Sequence, residues 1–381
     1  MAERVTDETV ATDVDVGGAA RIRSRAAHTL KWLLAIAGVF FAVCAIQVLI
    51  SAYGSIWLAR LDRFGADGSV SSRDVLTIGV ATQLVWLAIA WPWWRHVRHR
   101  GMGIDSATVR IPVPVRHGRA ADAETSGTIT VSADQESMAS PDSIPVIVDS
   151  ASMPPQPRKR SATRQPNSLP RAVTALFAIV LLGIGLQIIV SLLITLILPL
   201  FPEVERAYTD MMKNSGTDVL TPLSALSLAV LAPVVEELTF RGVAFQFALR
   251  VVTPAWNKHL SPGACENLGI SRTRFWIANA LQALAFGVVH LNITQGIYAF
   301  AIGLVLGWLF GRTGRLRYGI ALHLAINFSS YFVGEILDVF GLFGDFGPLV
   351  LSVVCVVVGI NLLMRSTPAS PWSVAARFKF L

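Results

Sequence analysis

In the stretch LAPVVEELTFRG, residues 231–242, two adjacent glutamates and an arginine interrupt an otherwise apolar run. Ionisable groups inside a hydrocarbon layer are costly, and those that persist there mark functional sites by default. Glu237 and Arg241 are four residues apart, so on a helix they share one face and can form an ion pair that satisfies both charges. Glu236 points about 100° away from that face and has no sequence-local cation. In a cavity that admits water, such a carboxylate is placed to act as a general base.

The histidines add to this set. Of the seven, only His290 and His323 fall in apolar segments, within LQALAFGVVHLNIT and YGIALHLAINFSS. His323 and Asn327 are again four apart, and an imidazole beside a carboxamide makes a donor pair for a developing oxyanion. Taken alone, the pair reads rather as an interhelical hydrogen bond that holds two helices together. His290 supplies a second imidazole able to share a water with Glu236. The glycines of GLVLGWLFG (Gly303, Gly307, Gly311) have the spacing of small residues that let helices approach closely, and read as packing rather than binding.

The elements that must position these side chains are membrane helices. The chain of 381 residues is 53% hydrophobic and only 15% charged, well below the charge content of about 25% usual in soluble domains. Its longest apolar runs reach the ~20 residues a helix needs to cross a bilayer. The reading is an all-α, polytopic membrane helical bundle with about eight transmembrane helices, at 32–57, 75–94, 172–200, 219–249, 274–291, 296–311, 318–334 and 347–364. Basic residues cluster before the first, after the second, before the third, between the fourth and fifth, after the sixth and after the last. That pattern expects a multi-pass protein of the cell membrane with both termini cytoplasmic, and it accounts for the net charge of +7 without nucleic-acid binding. The first run is too long for a signal-peptide core and is expected to remain as an anchor.

The chain divides into a cytoplasmic N-terminal tail (1–31), a two-helix membrane part (32–94), a cytoplasmic linker (95–171), a six-helix membrane domain (172–364) and a basic cytoplasmic tail (365–381). The linker is rich in Ser, Pro, Ala and Thr and cannot bury a core. Cys44, Cys265 and Cys355 are scattered and suggest neither a disulfide framework nor a zinc knuckle.

With these residues in place, a family resemblance emerges. APVVEELTFRG resembles the EExxxR motif of the CAAX protease and bacteriocin-processing (CPBP, Abi-type) intramembrane endopeptidases. Phe286 to His290 matches their FxxxH motif, and His323 to Asn327 matches HxxxN/D. Order and spacing agree over roughly 219–335, which would be the protease core. The resemblance implies an endopeptidase that cleaves membrane-associated or prenylated protein or peptide substrates at the bilayer. Glu236 and His290 would activate the attacking water, and His323 and Asn327 would stabilise the oxyanion. Glu237, Arg241 and Phe286 would support the site.

The family is often labelled a metalloprotease. Glu236, His290 and His323 would suffice for a catalytic zinc, while the same residues serve a mechanism that requires no cofactor, which is the preferred reading. Two other classes compete: a non-catalytic scaffold or bacteriocin-immunity protein on the same fold, and a proton-coupled transporter, for which the internal repeat is lacking.

The spacing also raises a geometric expectation. Glu236 and His323 fall near the cytoplasmic ends of their segments, whereas His290 falls far from the cytoplasmic start of its own. A short fifth–sixth hairpin that does not fully span, with the sixth segment the short one, would bring them together around a cytoplasm-facing cavity.

Overall fold

A computed structural model describes residues 8–65, 68–99, 168–252 and 272–367. Among them the chain forms ten helices: α1 (Glu8–Arg60), α2 (Ser72–His99), α3 (Ser168–Ile197), α4 (Pro202–Ser215), α5 (Pro222–Val252), α6 (Arg272–Val288), α7 (Ile293–Thr313), α8 (Leu316–Ser329), α9 (Val333–Gly341) and α10 (Gly347–Ser366). Most of the linker and of the C-terminal tail lies outside the described residues.

Six helices are long and apolar enough to cross a membrane, and a seventh span results if α8 and α9, bent by 66° at their junction, count as one. This is a polytopic helical bundle. It differs from the eight segments read above chiefly at the fifth, because α6 has only 17 residues. At about 1.5 Å per residue it reaches less than the ~30 Å hydrocarbon layer. The sixth segment is the longer partner, since α7 runs for 21 residues. The stretch between the third and fourth segments read above folds as the amphipathic helix α4. Its first turn carries Glu203 and Glu205 and its last turn Lys213, matching charge to the helix dipole.

α5 carries the glutamates, and its sequence explains its shape. Thr221 opens it with a capping box to Ser224, and Pro222 stands in the first turn, where its missing N–H goes unnoticed. Pro233, further on, cannot donate to the carbonyl four residues back and would collide with it. The preceding stretch Ala225–Leu231 is π-helical, with the Ala232 N–H bonded to the Ser227 carbonyl. A second π-helical stretch, Glu237–Ala244, follows immediately. Wide turns of this kind are rare and occur frequently at functional sites.

α6 and α7 form a tight antiparallel hairpin in which the glycines act as packing residues. A side chain at Gly303 would meet Ala283 at 3.0 Å, one at Gly307 would overlap Asn279, and one at Gly311 would overlap Phe275. The turn between the helices is set by Leu291, whose φ of +55° ends the helical run, and by Asn292, whose side chain caps α7 by accepting from the Gln295 N–H at 3.0 Å. His290 therefore sits in the turn just past the end of α6, not within a helix as its apolar surroundings suggested.

Two apolar clusters hold the bundle. One joins α1, α2, α5, α6 and α7 around Trp86, Phe240, Phe245, Phe275, Phe286 and Phe310. The other joins α3, α7, α8 and α10 around Leu182, Leu306, Leu322 and Leu363. Large apolar side chains such as Leu49, Leu196 and Val350 remain more than half exposed, the outward face expected of helices surrounded by lipid.

Candidate active site

The two adjacent glutamates part company at once. Glu237 is fully buried, whereas the Glu236 side chain is 27% exposed. Glu237 Oε1 lies 2.9 Å from Nη1 of Arg241, itself fully buried. The i,i+4 pairing expected from the sequence forms as an ion pair, although Nη1 makes no hydrogen bond. Arg241 gains two further contacts. Its Nη2 donates to the Gly303 carbonyl at 3.3 Å, and its guanidinium stacks on the Phe286 ring with Cζ 4.4 Å from the centroid, a favourable use of the ring quadrupole in a dry setting.

His323 on α8 lies between both carboxylates. Its Nδ1 is 3.2 Å from Glu237 Oε1, and its Nε2 is 3.6 Å from Glu236 Oε2. With Nδ1–H donating to Glu237, the tautomer is set and Nε2 is the nitrogen turned to Glu236. Gly319, one turn earlier on α8, makes this approach feasible, since a side chain there would lie 2.7 Å from Glu237 Oε2. The sequence reading passed over Gly319; its place four residues before His323, on the same helix face, was the available signal.

Phe286 forms the hub between the two imidazoles. His290 and His323 both set a ring edge-on to it, at centroid distances of 5.1 Å and 5.7 Å. His290 Nδ1 is hydrogen-bonded to the Phe286 carbonyl at 2.8 Å, which fixes its ring and leaves Nε2 for other work. Asn327 lies one turn after His323, and its amide donates to the Leu228 carbonyl at 2.9 Å, in the first wide stretch of α5. The structure thus brings Glu236, Glu237, Arg241, Phe286 and His323 into direct contact. His290 joins them through Phe286, and Asn327 through the α5 backbone.

Tyr298 on α7 was also missed. It is coupled electrostatically to Glu236 and to Tyr208 of α4, so this polar helix reaches the glutamate's surroundings. Burial pushes the Tyr208 hydroxyl above its ordinary titration range, so this contact stays neutral at physiological pH. No local pattern flags either tyrosine, because the pairing joins residues ninety positions apart in sequence.

For a zinc ion the donors would be Glu236, His290 and His323. Among the described residues, no three His, Cys, Asp or Glu side chains form a group that could hold a metal ion. His323 is instead engaged by carboxylates at both nitrogens. The residues as arranged do not form a three-ligand site.

Fold and site together define a multi-pass helical membrane protein with a glutamate–histidine cluster set among its helices. Residues 218–329 match the family model described as Type II CAAX prenyl endopeptidase Rce1-like, a span that holds every site residue read from the sequence. The family resemblance seen in the three motifs is therefore shown for this segment, and with it a likeness to CAAX-type membrane endopeptidases. A Bacillus subtilis (strain 168) protein named "Putative membrane peptidase YdiL" is 26% identical over 106 residues, which is 28% of this chain and 35% of that relative's length. The match thus spans about a third of the curated relative. No solved structure matches the chain.

Proposed function

We propose that the protein is an intramembrane endopeptidase that hydrolyses peptide bonds of membrane-associated or prenylated proteins, with Glu236 as the base that activates water. The observation that carries this reading is the division of labour between the adjacent glutamates. Glu237 is committed to Arg241 and His323, while Glu236 is partly open and faces only His323 Nε2 among the ion-pair contacts. A carboxylate that can reach both water and an imidazole suits general-base catalysis.

In this scheme Glu236 takes a proton from a water that His290 helps to orient through its free Nε2. The hydroxide equivalent attacks the scissile carbonyl, and the developing oxyanion is met by the remaining N–H of Asn327 and by His323, whose Nε2 can donate once it shares the proton taken up by Glu236. Such donors are worth roughly 10²–10³ in rate each when aimed at the transition state. The proton on Glu236 then passes to the leaving amine. His323 Nε2, 3.6 Å from Glu236 Oε2, is near enough to share it after a small shift. Glu237 and Arg241 hold His323 in the required tautomer. The basic clusters favour cytoplasmic termini, and with that orientation substrate would reach Glu236 from the cytoplasmic side.

The test compares membrane-protein N-termini in cells carrying wild-type protein or Glu236→Gln. That substitution keeps the shape and removes the base, whose contribution is about 10²–10⁴-fold. Specific new N-termini should disappear in the variant while its membrane level holds. Indistinguishable peptide sets at equal expression would sink the enzymatic reading in favour of a non-catalytic protein on this fold.

A further inference from the structure

The α6–α7 hairpin contains a buried amide network that packing alone does not explain. Gln282 and Asn279 on α6 are both fully buried. Gln282 Nε2 donates to Asn279 Oδ1 at 2.7 Å and to the Gly303 carbonyl at 3.0 Å, and Asn279 Nδ2 donates to the Leu304 carbonyl at 2.9 Å. The Gly303 carbonyl is also the acceptor for Arg241 Nη2. One backbone oxygen on α7 therefore receives both the Gln282 amide and the site arginine.

Resting on the endopeptidase reading, we infer that Gln282 is a positioning residue of the site, acting on His323 through the Gly303 carbonyl, Arg241 and Glu237. The chain of contacts is continuous. Gln282 donates to the carbonyl, the same carbonyl takes Nη2 of Arg241, Arg241 faces Glu237, and Glu237 accepts from His323 Nδ1. Each link is buried, so solvent cannot substitute for a lost partner.

The rival explanation is that Gln282 merely glues two helices. Two observations weigh against it. The hairpin already packs closely through Gly303, Gly307 and Gly311, and Gln282 Oε1 is buried with no hydrogen-bond partner. An unmatched buried acceptor is a poor choice where contact alone is needed, since an apolar side chain of similar volume would do that job at lower cost. The amide's donor end is aimed at the one α7 carbonyl that also holds Arg241.

The experiment uses the full chain in nanodiscs with ¹⁵N-labelled histidine, the His323 ring signals being assigned by their loss in His323→Gln. Gln282→Met keeps length and apolar volume, and Gln282→Glu keeps shape but sets an acceptor against the Gly303 carbonyl. Gly311→Ala is the control that disturbs the same hairpin two turns from Gly303. Both Gln282 variants should shift the His323 ring nitrogens, and Gly311→Ala should not. On peptides taken from sites lost with Glu236→Gln, Gln282→Met should lower kcat by about a hundredfold, the loss a small misplacement produces, with KM little changed. His323 signals that are unmoved in whichever Gln282 variant folds, or moved equally by Gly311→Ala, overturn the inference. Failure of the Glu236→Gln comparison would instead overturn the endopeptidase reading and leave the His323 readout to decide this one.

Discussion

Two arginine–carboxylate pairs in this protein teach different things. Arg63 and Asp74, at the connection between α1 and α2, form a forked contact, with Nη2 2.9 Å and 3.1 Å from the two carboxylate oxygens and Nε 3.3 Å from one of them. Ser71 adds a hydroxyl donor to the same carboxylate at 2.7 Å. The Arg63 side chain is half exposed. Arg241 and Glu237 sit in the core with no exposure, yet their geometry is poorer: Nε and Nη1 of the arginine and Oε2 of the glutamate lack hydrogen-bond partners among the described residues. The Arg63–Asp74 pair, with its arginine half in solvent and Asp74 largely covered, is well made and closes a loop. The buried pair is imperfectly made: Glu237 Oε1 faces both Arg241 and His323 while Oε2 is left without a hydrogen-bond partner.

The contrast yields ordered expectations. The largest effect belongs to Arg241→Met, which strands Glu237 as an uncompensated buried charge. Breaking a buried pair from one side costs about 3–5 kcal/mol, so the thermal midpoint and the level in the membrane fraction should both drop sharply. A variant as stable as wild type would show that Glu237 needs no cation. The intermediate effect is that of the double substitution Glu237→Leu with Arg241→Met. Removing both charges should restore much of the lost stability, since apolar replacements of buried pairs are often neutral or better. The new N-termini that depend on Glu236 should stay absent, because His323 has lost the carboxylate that sets its tautomer. Recovery of cleavage along with stability would make Glu237 and Arg241 purely structural. The smallest effect is that of Asp74→Asn. The Arg63 side of the pair is solvated, so its loss costs less than that of a fully buried pair; thermal unfolding in detergent should change less than with Arg241→Met, and cleavage should be unaltered. A shift as large as that of Arg241→Met would erase the contrast between the two pairs.

Much of the site was legible because its signals are local. The i,i+4 spacing of Glu237 with Arg241 and of His323 with Asn327 is a property of any helix, and helices were assured by apolar runs that cannot satisfy their backbones in lipid otherwise. The glycines of α7 announced a close helix partner by their spacing alone. Three things were not legible. The wide turns of α5 lie on either side of Pro233, and a proline in a helical run does not announce how widely the neighbouring turns will open. The end of α6 two residues before His290 depends on Leu291 adopting a left-handed backbone, which nothing in an apolar residue advertises. The contacts of Gly319, Gln282, Tyr208 and Tyr298 join distant segments.

By itself, then, the sequence determined that this is a helical membrane protein and which residue types its polar cluster contains, because hydropathy and helical periodicity act over a few turns. Only the tertiary structure decided which glutamate is buried and which is open. That choice depends on where α8 and α7 present His323, Gly319 and the Gly303 carbonyl to α5, and long-range packing, not local spacing, sets the dielectric and partners of each charge.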